Sequence, residues 1–138
     1  MPVPDAELAG LLAGVRTIAV VGASPNPARP SFGVTRFLAQ RGYRVFPVNP
    51  GHAGREIAGL RAYARLADIQ APIDMIDVFR ASEHVAGVLE EALAMTPRPK
   101  LFWTQLGVVD TVAALRAEAE GLGVVMNRCP KIELIGDH

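Results

Sequence analysis

Residues 21–33, VGASPNPARPSFG, join small residues, prolines and one arginine in a single stretch. Gly22, Ala23 and Ser24 are small enough for their backbone N–H groups to approach a phosphate, and a helix starting just after them adds the positive end of its dipole. Pro25, Pro27 and Pro30 stiffen the segment and reduce the entropy lost when a ligand orders it, while Arg29 offers a charge-assisted hydrogen bond. With Gly33 closing the stretch, the chemistry is that of an anion cradle. The competing reading of the same residues is a proline-stiffened surface turn without a ligand. The stretch contains neither the G-x-G-x-x-G dinucleotide fingerprint nor a P-loop Lys followed by Ser or Thr, so ATP or GTP hydrolysis is not expected.

Three further segments carry polar or aromatic residues at places where strands should end. In PVNPG, Asn49 and Pro50 stand where a common NAD enzyme would hold its ribose with an acidic residue, which argues against simple NAD recognition. Asn49 is either an adenosine contact or part of a turn. DVFR places backbone groups of Val78, Phe79 and Arg80 beside a possible adenine or pantetheine arm, and FWTQLG adds Gln105, an amide donor and acceptor, with Gly107. Asp74 and Asp77 resemble a carboxylate pair, but three residues apart on a strand they point to opposite faces and form no acid/base dyad. Asp77 is expected to be satisfied by backbone or arginine hydrogen bonds, and Trp103 to pack in the core. His52 follows NPG and either moves a proton or decorates a loop, whereas His84 belongs to a helix start and His138 to the tail. Cys129, beside Arg128 in NRCPKIE, is either a thiol able to exchange with a ligand thiol or a small packing residue before Pro130. No His and Cys stand at zinc-ligand spacing.

These residues need a scaffold, and the apolar periodicity supplies one. The chain has 138 residues, 50% of them hydrophobic, which suits one core and a single domain over residues 1–138. Asp5 opens a helix with Leu8, Leu11, Leu12 and Val15 on one face, and TIAVVG then reads as a buried first strand. Ser31 can cap a helix that buries Val34, Phe37 and Leu38 and stops at Gly42, before a second strand, YRVFPVN. Residues 50–72 are weakly periodic and fit short edge strands or a helical turn. IDMIDVF is the third strand, Ser82 caps a helix burying Val85, Val88, Leu89 and Ala92, and KLFWT is the fourth strand. Asp110 caps a helix presenting Val112, Leu115, Ala119 and Leu122, which ends at Gly121 and Gly123 before a fifth strand, VVMN. This α/β succession predicts a Rossmann-like three-layer fold, a parallel sheet of about five strands with helices on both faces. A strand order near 3-2-1-4-5 gathers ligand groups at the carboxyl ends of the strands.

The global balance excludes some partners. Net charge is +0 and the sequence pI is near 6.8, so nothing pulls the chain towards nucleic acid or an anionic membrane. The single cysteine, the absence of an apolar run of roughly 18 residues, and an N-terminus without a basic start point to the cytoplasm. Arginine accounts for 12 of the 14 basic residues, supplying planar donors suited to phosphate.

Taken together, IAVVGASPNPARPSFGV, GYRVFPVNPG, IDMIDVFR, FWTQLGV and VVMNRCPKIEL resemble, in order and spacing, the CoA-binding domain family. Its members are small Rossmann-like proteins related to the N-terminal CoA-binding domain of succinyl-CoA synthetase alpha subunits. The resemblance implies that the loop around Gly22, Ala23 and Ser24 binds CoA phosphates, and that Asn49, Pro50, residues 78–80 and residues 105–107 border the nucleotide and pantetheine. Arg29, and more weakly Arg55, are the phosphate candidates outside the backbone. The synthetase's second domain, with its phosphorylated histidine, has no room in this chain, and Asn127 replaces an acidic residue found in similar members. The leading expectation is a non-catalytic protein that binds coenzyme A or an acyl-CoA. The alternatives are a nicotinamide-nucleotide oxidoreductase, a CoA-linked transferase, or a scaffold, and a homodimer fits any of them.

Overall fold

The computed structural model describes residues 5–130. Its elements in chain order are α1 (Asp5–Ala13), β1 (Thr17–Val21), α2 (Pro30–Gln40), β2 (Arg44–Val48), β3 (Glu56–Ile57), β4 (Leu60–Arg61), β5 (Met75–Val78), α3 (Val85–Leu93), β6 (Leu101–Thr104), α4 (Thr111–Ala119) and β7 (Gly123–Val125). Five of the strands form a parallel sheet ordered β2-β1-β5-β6-β7, and β3 and β4 make a small antiparallel hairpin within the weakly periodic stretch.

The strands are continuous apolar runs because both faces of the sheet are covered. One face packs Ala19, Val21, Ile76, Val78 and Phe102 under Val88, Leu89 and Ala92 of α3 and Ala113 and Ala117 of α4. The other packs Ile18, Val20, Met75 and Trp103 under Leu8 and Leu12 of α1 and Val34 and Leu38 of α2. The result is the expected three-layer Rossmann-like α/β fold. Among the described residues, no helix is long and apolar enough to cross a membrane.

The strand order corrects the one expected. The third strand of the sequence, β5, lies directly against β1 on the side opposite β2, so the order in sequence terms is 2-1-3-4-5. The Asp74 carboxylate secures this edge by accepting the N–H groups of Arg16 (2.9 Å) and Thr17 (3.3 Å), which ties the start of β5 to the start of β1. The order still reverses at β1, so the crevice opens where β1 and β5 end, as in other doubly wound sheets.

Helix ends follow local chemistry, with two departures. Gly42 (φ +97°) ends α2 in the left-handed region, and Tyr43 N–H bonds back to Leu38 O at 3.2 Å. Ser31, however, is inside α2 rather than its cap: Arg29 holds the cap position, and the Ser31 hydroxyl accepts the Ser24 N–H instead. Ser82 likewise caps nothing, because its hydroxyl accepts the Val109 N–H at 2.9 Å. The face of α4 also differs from expectation. Ala113 and Ala117 turn inward, while Val112 and Leu115 are 77% and 68% exposed, because the small alanines let the helix lie close to the sheet. Only Leu122 of the expected face is buried.

Asp110 does cap α4, its Oδ1 accepting the Ala113 N–H at 3.0 Å. Asp110→Ala is expected to cost about 1 kcal/mol, read as a lower denaturation midpoint with an unchanged slope.

Candidate functional site

The carboxyl ends of β1, β5 and β6 open onto two adjoining clefts that share Gly22 and Phe79. The first, about 640 Å³, runs from Ser24, Arg29, Pro30 and Ser31 past Phe79 to Gln105, Leu106, Val108 and Cys129. The second, about 500 Å³, is lined beyond the shared pair by Asn49, Pro50, Gly51, Arg80, Ala81 and His84. Both volumes are in the range of small-molecule sites. Among the described residues no carboxylate lines either cleft, whereas Arg29, Arg80 and His84 do.

Gly22 is the pivot. It leaves β1 with φ +90°, and a Cβ there would stand 2.9 Å from Phe79 O and 3.0 Å from Arg80 Cδ. Only glycine permits both the backbone turn and this close approach to the end of β5.

The N–H groups expected to form an anion cradle are directed elsewhere. Gly22 and Ala23 donate to Val48 O at 2.9 and 3.3 Å, and Ser24 donates to Ser31 Oγ at 3.0 Å. The next turn is closed internally as well, with Asn26 N–H on Ser24 Oγ and Ala28 N–H on Asn26 Oδ1. A parallel strand neighbour supplies an acceptor at the end of β2, and the donors leaving β1 take it. The segment is therefore shaped by its own hydrogen bonds, and the charge offered to an anion comes from Arg29 and from the first turn of α2.

The other expected site residues divide into cleft-lining and supporting positions. Asn49, Pro50, Phe79, Arg80 and Gln105 line the clefts. Asn49 is also a turn residue: its Nδ2 donates to Ala23 O at 2.8 Å and its Oδ1 accepts the Gly51 N–H at 2.9 Å, so it couples the loops after β1 and β2. Ala23 and Val78 are buried, supporting the floor from below. Pro25 is exposed, Gly33 lies within α2, and Gly107 is exposed with its N–H held by Asn127 Oδ1; none of these three lines a cleft. Arg55 and His52 line neither cleft.

Val108, His84 and Ser31 were not among the residues expected to line the clefts, whereas Leu106 belongs to the expected 105–107 segment. Val108 directly follows the expected 105–107 segment, and His84 follows DVFR by one turn, so their proximity to expected residues was the available signal. Trp103 is core, as expected, and its Nε1 donates to Arg128 O at 2.8 Å. The Arg128 N–H in turn donates to Thr104 O, pinning the segment that carries Cys129 against β6.

The two aspartates differ in environment. For Asp74, burial alone would raise the pKa, but the N–H groups of Arg16 and Thr17 and the charge of Lys100 outweigh it and hold the carboxyl below the ordinary range. Asp77 contradicts the expectation of hydrogen-bonded satisfaction: it is 0% exposed, and neither oxygen has a partner among the described residues. Burial pushes its pKa well up, favouring the neutral acid. It faces the core between the registers of Val20 and Trp103 rather than a cleft.

Similarity to other proteins extends over this whole frame. The Bacillus subtilis protein YneT is 39% identical over 127 residues, covering 92% of this chain and 91% of its own. The structure of a Thermus thermophilus protein aligns over 97% of this chain and 98% of its own with a TM-score of 0.90 at 39% identity. The ADP-forming acetate–CoA ligase II of Archaeoglobus fulgidus is 31% identical over 78 residues, which is 55% of this chain but 11% of the ligase. Residues 16–135 match the CoA binding domain family, a span that includes both clefts and every strand, and the chain belongs to that family.

Proposed function

We propose that the protein binds coenzyme A or an acyl-CoA across the two clefts and acts as a binding protein rather than a complete enzyme. The observation that carries this reading is the basic character of the lining: among the described residues, the two adjoining clefts bear Arg29, Arg80 and His84 and no carboxylate. Coenzyme A is a polyanion at its nucleotide end and an uncharged amide chain at its other end. The cleft with Arg80, His84 and Asn49 suits the nucleotide, Arg29 and the start of α2 suit the pyrophosphate, and Phe79, Leu106 and Val108 suit the pantetheine arm. Gln105 adds an amide for the arm's amides. Asp77 lines neither cleft, and among the described residues no pair in the lining is arranged as nucleophile and base, which is why binding is proposed without a reaction.

Arginine substitution tests the assignment. Arg29→Ala is expected to weaken coenzyme A about tenfold, and to weaken the analogue lacking the 3′-phosphate by the same factor. Arg80→Ala is expected to weaken coenzyme A about tenfold while leaving the analogue nearly unaffected. Calorimetric affinities for both ligands that do not change in either variant would remove the two arginines from the phosphate site.

A further inference from the structure

Cys129 is the chain's single cysteine, and it lies 6% exposed in the wall of the first cleft. Phe79, Leu106 and Val108 line the same cleft, whereas Arg80 and His84 line the adjoining one. A second feature of the same wall marks it as a place for a ligand. Gln105 is 8% exposed and lines the cleft, yet its Oε1 is buried with no hydrogen-bond partner among the described residues. A buried amide oxygen is normally paired, and rotation of the terminal amide presents oxygen or nitrogen to the cleft. A ligand amide lying along this wall would satisfy it. Gln105 and Cys129 line the same cleft, so one amide-containing chain seated there has both residues beside it.

We propose that Cys129 exchanges with the sulfur end of a thiol ligand of the coenzyme A class, so that the cleft captures the oxidised, disulfide form of that ligand covalently. The inference rests on the CoA-binding reading above. Cys129 loses its proton to solvent, and the thiolate attacks one sulfur of the ligand disulfide. The Cys129 Sγ–S bond forms as the ligand S–S bond breaks, and the departing half leaves as a thiolate that takes a proton from solvent. The ligand disulfide is the oxidant, and the released thiol is the reduced product. The Asn127 and Arg128 N–H groups donate to the hydroxyl and carbonyl of Thr104 and so fix the chain immediately before Cys129. Because the thiol is reached through the cleft, disulfides that fit the cleft react faster than disulfides that do not.

The test is intact-mass analysis of the full chain after incubation with oxidised coenzyme A, alongside oxidised glutathione at the same concentration. Expected is a single coenzyme A adduct that dithiothreitol removes, that is absent from Cys129→Ser, and that forms about tenfold faster than the glutathione adduct. The cysteine is unique, so the wild-type adduct locates itself even if the serine variant folds poorly. Calorimetry with coenzyme A under reducing conditions separates the two claims. Tight binding with no adduct overturns the exchange and leaves the binding reading standing, and equal rates with glutathione overturn capture through the cleft. Absence of both binding and adduct overturns both.

Discussion

Asp77→Asn is expected to raise stability at neutral pH and to abolish a pH dependence that the wild-type protein carries. A buried carboxyl with no hydrogen-bond partner is unfavourable in either form, and far more so when charged. In the unfolded chain Asp77 titrates near its ordinary value of 3.8, whereas burial raises the folded value well above it. Between those two values the folded state holds a proton that the unfolded state has released. Stability therefore falls as pH rises, by up to about 1.4 kcal/mol per pH unit, until the folded group itself ionises. Asparagine has similar volume and no charge, so the gain at pH 7 should be about 2 kcal/mol or more.

Asp74 works in the opposite direction, since its lowered pKa contributes stability that is lost only as pH falls. Denaturant titrations above roughly pH 5 keep Asp74 ionised and isolate the Asp77 effect. The difference between variant and wild type should widen from pH 5 to pH 7. Parallel curves across that range would show that Asp77 does not carry a raised pKa in the folded protein.

Gly22→Ala should be the most damaging small substitution at the site, with a cost of about 3 kcal/mol. The methyl group combines a left-handed backbone at φ +90° with contact against Phe79 O, a backbone atom that cannot move without shifting the end of β5. Both clefts share this position, so coenzyme A affinity should fall together with stability. Gly33→Ala provides the comparison. Gly33 lies inside α2 with open space where a Cβ would go, so alanine there should stabilise by about 0.5–1 kcal/mol. Equal effects of the two alanines on the denaturation midpoint would contradict the close approach at Gly22.

The strands and the placement of the clefts were legible because buried parallel strands are continuous apolar runs, and because ligand groups gather where such strands end. TIAVV, MIDV and LFWT needed no tertiary information. The strand order was not legible, since apolar runs say nothing about which neighbour each strand takes. The deciding bonds join Asp74 to Arg16 and Thr17, more than fifty residues away in the chain.

The face of α4 failed for a related reason. Its sequence holds one stripe through Val112 and Leu115 and another through Ala113 and Ala117, and hydrophobicity favours the first while close packing on the sheet selects the second. Small residues after β1 read as room for a phosphate; in the structure Gly22 makes room for Phe79 O, and residue size does not tell where an N–H points. Val48 O, from the next strand, and Ser31 Oγ, seven residues beyond Ser24, take those donors. Asp77 was misread because polar residues in strands usually find partners, and its lack of one is visible only in three dimensions.

The most direct measurement is calorimetric titration of ligand-free wild-type protein with coenzyme A and, separately, with NAD, under reducing conditions. One coenzyme A should bind per chain, at least about tenfold more tightly than NAD, because the described lining offers arginines to phosphates and no carboxylate to a ribose. Tighter binding of NAD, or no heat from coenzyme A, would contradict the account.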